Sequence, residues 1–168
     1  MIKPLIGTVD VWRELTDLGD YLQILQVVTR LLVAAALGGI LGFERERKGK
    51  NADMRMHILV ALGAAMFVMV PQLLGAGPAD ISRVAQGLVA GIGFLGAGVI
   101  WHKEGEMQAR GLTTAAGVWV TAAIGMSAGV GRVALAILAT VLTLVVLTVL
   151  PHLVHPLQNS APEEVANK

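Results

Sequence analysis

Five long apolar runs, Leu22 to Phe43, Ile58 to Leu74, Val84 to Trp101, Leu112 to Val130 and Val133 to Leu150, contain no aspartate or glutamate and one charged residue, Arg30. Runs of this length cross a hydrocarbon layer about 30 Å thick. Backbone groups inside that layer find no water, so a spanning run is pressed into a helix. Only 15% of the residues are charged and mean hydropathy is +0.69, against about 25% charged in soluble domains. The fold class expected is therefore all-α: an integral membrane bundle of five transmembrane helices. Residues 1–21 read as an extracytoplasmic leader, 22–150 as the transmembrane domain and 151–168 as a polar cytoplasmic tail.

Inside the leader, Thr8 to Gly19 has the spacing of a short amphipathic helix, with Trp12 at headgroup depth. Asp10, Glu14, Asp17 and Asp20 stand where a cleavable signal would carry a basic region.

The third run holds the least usual stretch. Gln86 to Gly98 has five glycines in thirteen residues, at Gly87, Gly91, Gly93, Gly96 and Gly98. Each interior glycine costs a helix in water about 1 kcal/mol. In a bilayer, small residues let helices approach closely. The expectation is a helix in the middle of the bundle, touched from several sides. An alternative is a broken helix whose carbonyls line an ion path. In the fourth run, Thr113, Gly117, Thr121, Gly125 and Gly129 recur every four residues, a ridge suited to packing on the third run. The third and fourth spans are thus expected at the centre. The fifth, rich in Leu, Val and Thr, is expected at the lipid-facing edge and to end at Pro151.

The charges lie between the runs. Arg30 is close enough to a helix start to snorkel, or to pair with Asp17 or Asp20. From Arg45 to Arg55 the chain carries five Lys and Arg residues, and the loop after the third run adds Lys103 and Arg110. This bias places the N-terminus outside and the C-terminus in the cytoplasm. Glu44, Arg45, Glu46, Arg55, His57, Arg110, Thr113 and Thr114 gather at one end. The simpler reading is salt bridges and membrane anchors. The sharper one is a site: Arg110, the Thr113 and Thr114 hydroxyls and free N–H groups could hold an anion, Glu44 among the candidates. The two glutamates could instead hold a divalent cation. At the opposite end Arg83 and Gln86 face the glycine stretch, with Gln86 bonded to a bundle carbonyl or lining a vestibule. His152 and His155 are spaced as two metal ligands, which is too few to define a site.

The sequence contains no cysteine, so disulfides and thiolate chemistry are excluded. Neither Gly-x-Ser-x-Gly, His-Glu-x-x-His nor a phosphate loop is present. The chain reads as a non-enzyme, with no cofactor beyond Mg2+ as a candidate ion. Mg2+ prefers octahedral oxygen ligands with a carboxylate or two, and no run interior supplies one. A net charge of +1 gives no sign of nucleic acid as a partner. The bilayer is the certain partner, with a second copy or another membrane protein as candidates.

Gly38-Gly39-Ile40-Leu41-Gly42-Phe43-Glu44-Arg45-Glu46-Arg47-Lys48 resembles the start of the MgtC/SapB family. So do Arg55-Met56-His57, Ser82 to Gly87, Gly91 to Gly98, and Arg110 to Ala116 continuing through Trp119 to Gly125. The resemblance covers about Gly38 to Gly131 in order. The family commonly has Ala-Gly-Leu-Arg-Thr-His before its second span, where this chain has Ala52-Asp53-Met54-Arg55-Met56-His57. Many members continue into a soluble C-terminal domain, so this chain looks like a short, SapB-type member. The resemblance implies a multi-pass protein of the bacterial inner membrane, linked to survival in low magnesium and often labelled a magnesium transporter. Two functions follow as expectations. One is regulation or stress adaptation through helix–helix contacts. The other is an ion transporter or channel with the Gly87–Gly98 helix lining its path.

Overall fold

The computed structural model describes residues 21–49, 53–100 and 110–158, with side chains as far as Pro151. Every element in these stretches is a helix: α1 (Tyr21–Arg47), α2 (Met54–Leu73), α3 (Pro78–Gly98), α4 (Leu112–Gly129) and α5 (Val133–Gln158). All five are long and apolar enough to cross a membrane. The Thr8–Gly19 helix, Trp12, Asp17, Asp20, Trp101, Lys103 and the side chains of His152 and His155 lie outside the described residues.

The centre of the bundle is α2, held between α1 and α4. Its inward residues are small: Ala61, Ala64, Ala65 and Val68 are fully covered. Glycines of both neighbours meet that surface. A Cβ on Gly38 would lie 2.7 Å from the His57 carbonyl oxygen, and one on Gly42 would lie 2.6 Å from Met54 Cα. From the other side, a Cβ on Gly125 would lie 2.7 Å from Ala61 Cα, and one on Gly129 would lie 2.8 Å from Ala65 Cα. Two GxxxG-type pairs thus seat backbone against backbone on opposite faces of α2. Dispersion between closely approaching helices drives such packing in lipid, where apolar burial gives little. Leu37, Leu41, Ile124, Ala128 and Ala136 complete this core.

This corrects the expected arrangement. The α4 ridge of Gly117, Gly125 and Gly129 packs on α2 rather than on α3, and Thr113 is exposed. The glycine-rich α3 is peripheral: 11% of its span is buried, against 50% for α4. Ile92 and Gly96 are its buried residues. A Cβ on Gly87, Gly91, Gly93 or Gly98 would meet no atom of another described element within 4 Å. The sequence signal was ambiguous because a glycine ridge marks a close-packing face without naming the partner. The chain's other ridges, at Gly38/Gly42 and Gly125/Gly129, took the internal crossings.

Helix α5 does lie at the edge, with Leu135, Leu138, Val141, Leu142 and Val146 exposed. It does not stop at Pro151 but runs to Gln158. A proline inside a helix deprives the carbonyl four residues earlier of its N–H partner. That carbonyl is Leu147 O, and Lys48 Nζ at the end of α1 donates to it at 2.8 Å. The ammonium replaces the missing amide, which lets the helix pass through the proline. Hydroxyls inside the spans are satisfied in a similarly local way: Thr121 donates to Gly117 O and Thr140 to Ala136 O, each at 2.8 Å.

Candidate functional site

Two polar clusters sit at opposite ends of the bundle. The first surrounds Arg30. Its Nη1 donates to Gln72 Oε1 at 3.2 Å and to Gly129 O at 3.0 Å. Gly129 closes α4, whose last carbonyls have no intrahelical partner. Arg30 therefore ties α1 to the ends of α2 and α4 and puts a positive charge at the negative end of α4's dipole. Its guanidinium reaches toward that end of the bundle, with Gln72 and Gly129 as partners. Gly131 follows with φ +83°, and a Cβ there would lie 2.9 Å from Arg30 Nη2. Arg30→Ala is expected to lower stability by about 1–2 kcal/mol, since water reaches the freed carbonyl at the helix end. Thermal unfolding in detergent checks this, and Arg30→Lys should fall between.

At this same end, Arg83 pairs with Asp80 at 2.8 Å, and both are exposed. Gln86 is exposed as well, so it does not serve as an interior bond to the bundle.

The second cluster is at the other end, where α1 finishes and α2 and α4 begin. Asp53 caps α2 by accepting from Met56 N at 2.8 Å. Glu46 Oε2 accepts from Met54 N at 3.1 Å, so both carboxylates favour the positive end of α2. His57 is 1% exposed, and its Nδ1 lies 3.1 Å from the Asp53 carbonyl oxygen. That bond requires the proton on Nδ1, which leaves Nε2 of the neutral ring an acceptor. Nε2 has no hydrogen-bond partner and lies 3.9 Å from where a Cβ on Gly117 would stand. Arg45 is 3% exposed, and its Nη2 approaches Thr114 Oγ1 at 3.5 Å, while Nε has no partner. Glu44 forms an ion pair with Lys48 one turn on, and its Oε2 is buried without a hydrogen bond.

The structure thus brings Glu44, Arg45, His57 and Thr114 together. It uses Glu46 as a helix cap and leaves Arg55, Arg110 and Thr113 on exposed positions. Arg45 reaches the start of α4 through Thr114. Glu44 is not the anion at that helix: α1 and α4 are joined through Arg45 and Thr114 instead. Sequence reading missed Gly117 and Lys48. The four-residue step from Leu147 to Pro151 was the available signal for a carbonyl needing an outside donor. Among the described residues, no three His, Asp or Glu side chains group as a metal set. One free carboxylate oxygen beside a guanidinium and an ammonium does not match what Mg2+ requires.

Comparison with known proteins gives a consistent picture. Residues 31–155 match the MgtC family. The chain is 41% identical over 144 residues to YhiD of Escherichia coli (strain K12), whose name proposes magnesium transport; the match covers 80% of this chain and 65% of YhiD. It is 44% identical over 130 residues to SrpB of Synechococcus elongatus, covering 71% of each chain. It is 45% identical over 128 residues to MgtC of Brucella abortus, covering 76% of this chain and 52% of that protein. The chain therefore spans between about half and two thirds of the length of YhiD and MgtC. No solved structure matches it.

Proposed function

The chain belongs to the MgtC family and is a multi-pass bacterial membrane protein; on that premise we propose that it is a non-enzymatic regulator of adaptation to low magnesium, acting through contacts made by the outer face of α3. The observation that carries this reading is the open space around Gly87, Gly91, Gly93 and Gly98. Gly87, Gly91 and Gly98 share one outward face, with the exposed Phe94 between the last two, and the helix gives up side-chain contacts at each of these glycines. Close approach of another helix restores them.

The occupant we assign is α3 of a second copy. A two-fold axis along the membrane normal keeps both copies in the same orientation. It sets the exposed Asp80–Arg83 pair of each copy at one level, so that the two pairs adjoin across the axis. The charge-rich end from Arg45 to Arg55 faces the cytoplasm in this reading, by the positive-inside bias. Transport, the activity proposed in YhiD's name, finds less support. The interior between α1, α2 and α4 is filled by Ala34, Ala61, Ala65, Ile124 and Ala128. The glycine helix stands outside that core.

Gly91→Leu tests the proposal. It should still fold, because no described residue occupies that space, with a midpoint lowered only by the loss of the dimer. It should run as a monomer by native mass spectrometry where the unaltered protein is a dimer, and it should fail to support growth in low magnesium. An unaltered protein that is monomeric, or a Gly91→Leu variant that supports full growth, would remove the α3 face from the account. A different membrane protein captured by the unaltered chain and lost in the variant would replace the second copy as the occupant.

A further inference from the structure

Arg45 poses a separate problem from the α3 face. A guanidinium taken out of water needs a counter-charge, and an unpaired buried charge costs several kcal/mol. Glu44 is adjacent, but its ion pair is with Lys48. Among the described residues no carboxylate lies within ion-pair distance of Arg45. With Glu44 held by Lys48, the Arg45 guanidinium is left without a paired carboxylate among the described residues.

The orientation of the guanidinium narrows what could neutralise it. Nε and Nη2 form the side edge of the fork, the edge that grips an oxyanion with two parallel N–H bonds. Here Nη2 has a long contact to the Thr114 hydroxyl, and Nε has no partner. Thr114 lies in the first turn of α4, and the helix cap, Gly111, provides no side-chain bond to the first free N–H groups. An N-terminus in this state attracts negative charge. One helical turn on, a Cβ on Gly117 would lie 3.9 Å from His57 Nε2. That nitrogen is an unpartnered acceptor enclosed by protein. The corner thus combines an arginine edge, a hydroxyl and a helix start, all donors, with one acceptor. A carboxylate meets the donors but brings no proton for Nε2. A phosphate monoanion, H2PO4−, meets the donors with its unprotonated oxygens and has a proton to give to Nε2.

We propose that the Arg45–Thr114–His57 corner binds a phosphate monoanion, held by the Arg45 side edge and the start of α4, with His57 Nε2 accepting the P–O–H proton. Free phosphate and the phosphate of an anionic lipid headgroup share the charge that the corner selects; only the free ion brings the proton for His57.

The test uses the purified full chain in neutral detergent. Inorganic phosphate should raise the thermal midpoint relative to chloride at equal ionic strength. Thr114→Val, nearly the same shape, should weaken the phosphate response about tenfold, the size expected for one bond to a charged partner. Arg45→Met should abolish the response and also raise the midpoint in chloride, because it removes an unpaired buried charge. An arginine with a purely structural role would lower it. His57→Phe should weaken the response to inorganic phosphate and leave the response to phosphatidylglycerol added to the micelles unchanged. A response to phosphatidylglycerol without one to inorganic phosphate would assign the corner to lipid and remove His57 from it. No response to either, or equal responses in the unaltered protein and Arg45→Met, would overturn the proposal.

Discussion

Gly125→Leu is expected to eliminate the folded protein. A Cβ at this position would stand 2.7 Å from Ala61 Cα and 2.8 Å from Ala61 C, both backbone atoms of the central helix. No rotamer change relieves such a contact; α4 would have to move away from α2. The displacement would also separate Gly129 from Ala65 and pull the α4 terminus from Arg30. Overpacking in a well-filled core typically costs about 1–3 kcal/mol and more when backbone must move. Gly125→Ala should therefore cost about 3 kcal/mol, and the leucine variant should not accumulate as folded protein. The check is expression and size-exclusion behaviour in detergent beside Gly91→Leu. The two substitutions are chemically the same and both fall within GxxxG-type patterns. Opposite outcomes are expected, since one glycine meets backbone and the other meets open space.

The second large effect concerns Lys48. Its ammonium holds Leu147 O, the carbonyl that Pro151 deprives of an amide. Lys48→Met leaves that carbonyl without its donor near the end of a span, at an expected cost of about 2–3 kcal/mol. Pro151→Ala restores an amide at position 151 and closes the normal helical bond. The double variant Lys48→Met/Pro151→Ala should then be more stable than Lys48→Met alone by about 1–2 kcal/mol. Thermal unfolding of the four proteins measures this. Simple addition of the two single effects would show that the lysine acts through Glu44 and not through the carbonyl.

Much of the architecture was readable from hydrophobic runs. Five acid-free segments bounded by charge and by Gly-Arg or Pro turns gave the number and order of the helices. Membrane helices are legible in this way because length and apolarity are imposed by the solvent. The identity of the central helix was not legible. α2 has no GxxxG pair, and its inward surface is alanine, which also occurs on helix faces toward lipid. It is central because two other helices direct their glycines at it. The glycine-rich α3 gave the strongest local signal and lies at the periphery, because composition records how closely a helix is approached and not which chain approaches it.

The candidate site shows the same division. The charge pattern puts Glu44, Arg45, His57 and Thr114 at one membrane boundary, and in the structure they lie in one corner of the bundle. Their roles depended on side-chain direction. Arg45 and Arg110 are equivalent in sequence terms, each next to a helix end. The spiral of α1 turns Arg45 inward to Thr114, while Arg110, ahead of α4, is on an exposed position. Glu46, two residues from Glu44, turns outward to cap α2. Spacing within one helix fixes such a face only when the neighbouring helix is already known.

The central claim is that the α3 glycine face is a contact surface and not the wall of an ion path. Magnesium flux through the purified protein in proteoliposomes tests it most directly, measured beside Gly93→Leu, which alters α3 where the structure has open space. The account predicts no flux above protein-free vesicles for either protein, with both shown to be folded. Magnesium flux that the unaltered protein supports and Gly93→Leu abolishes would contradict it and make α3 the pathway.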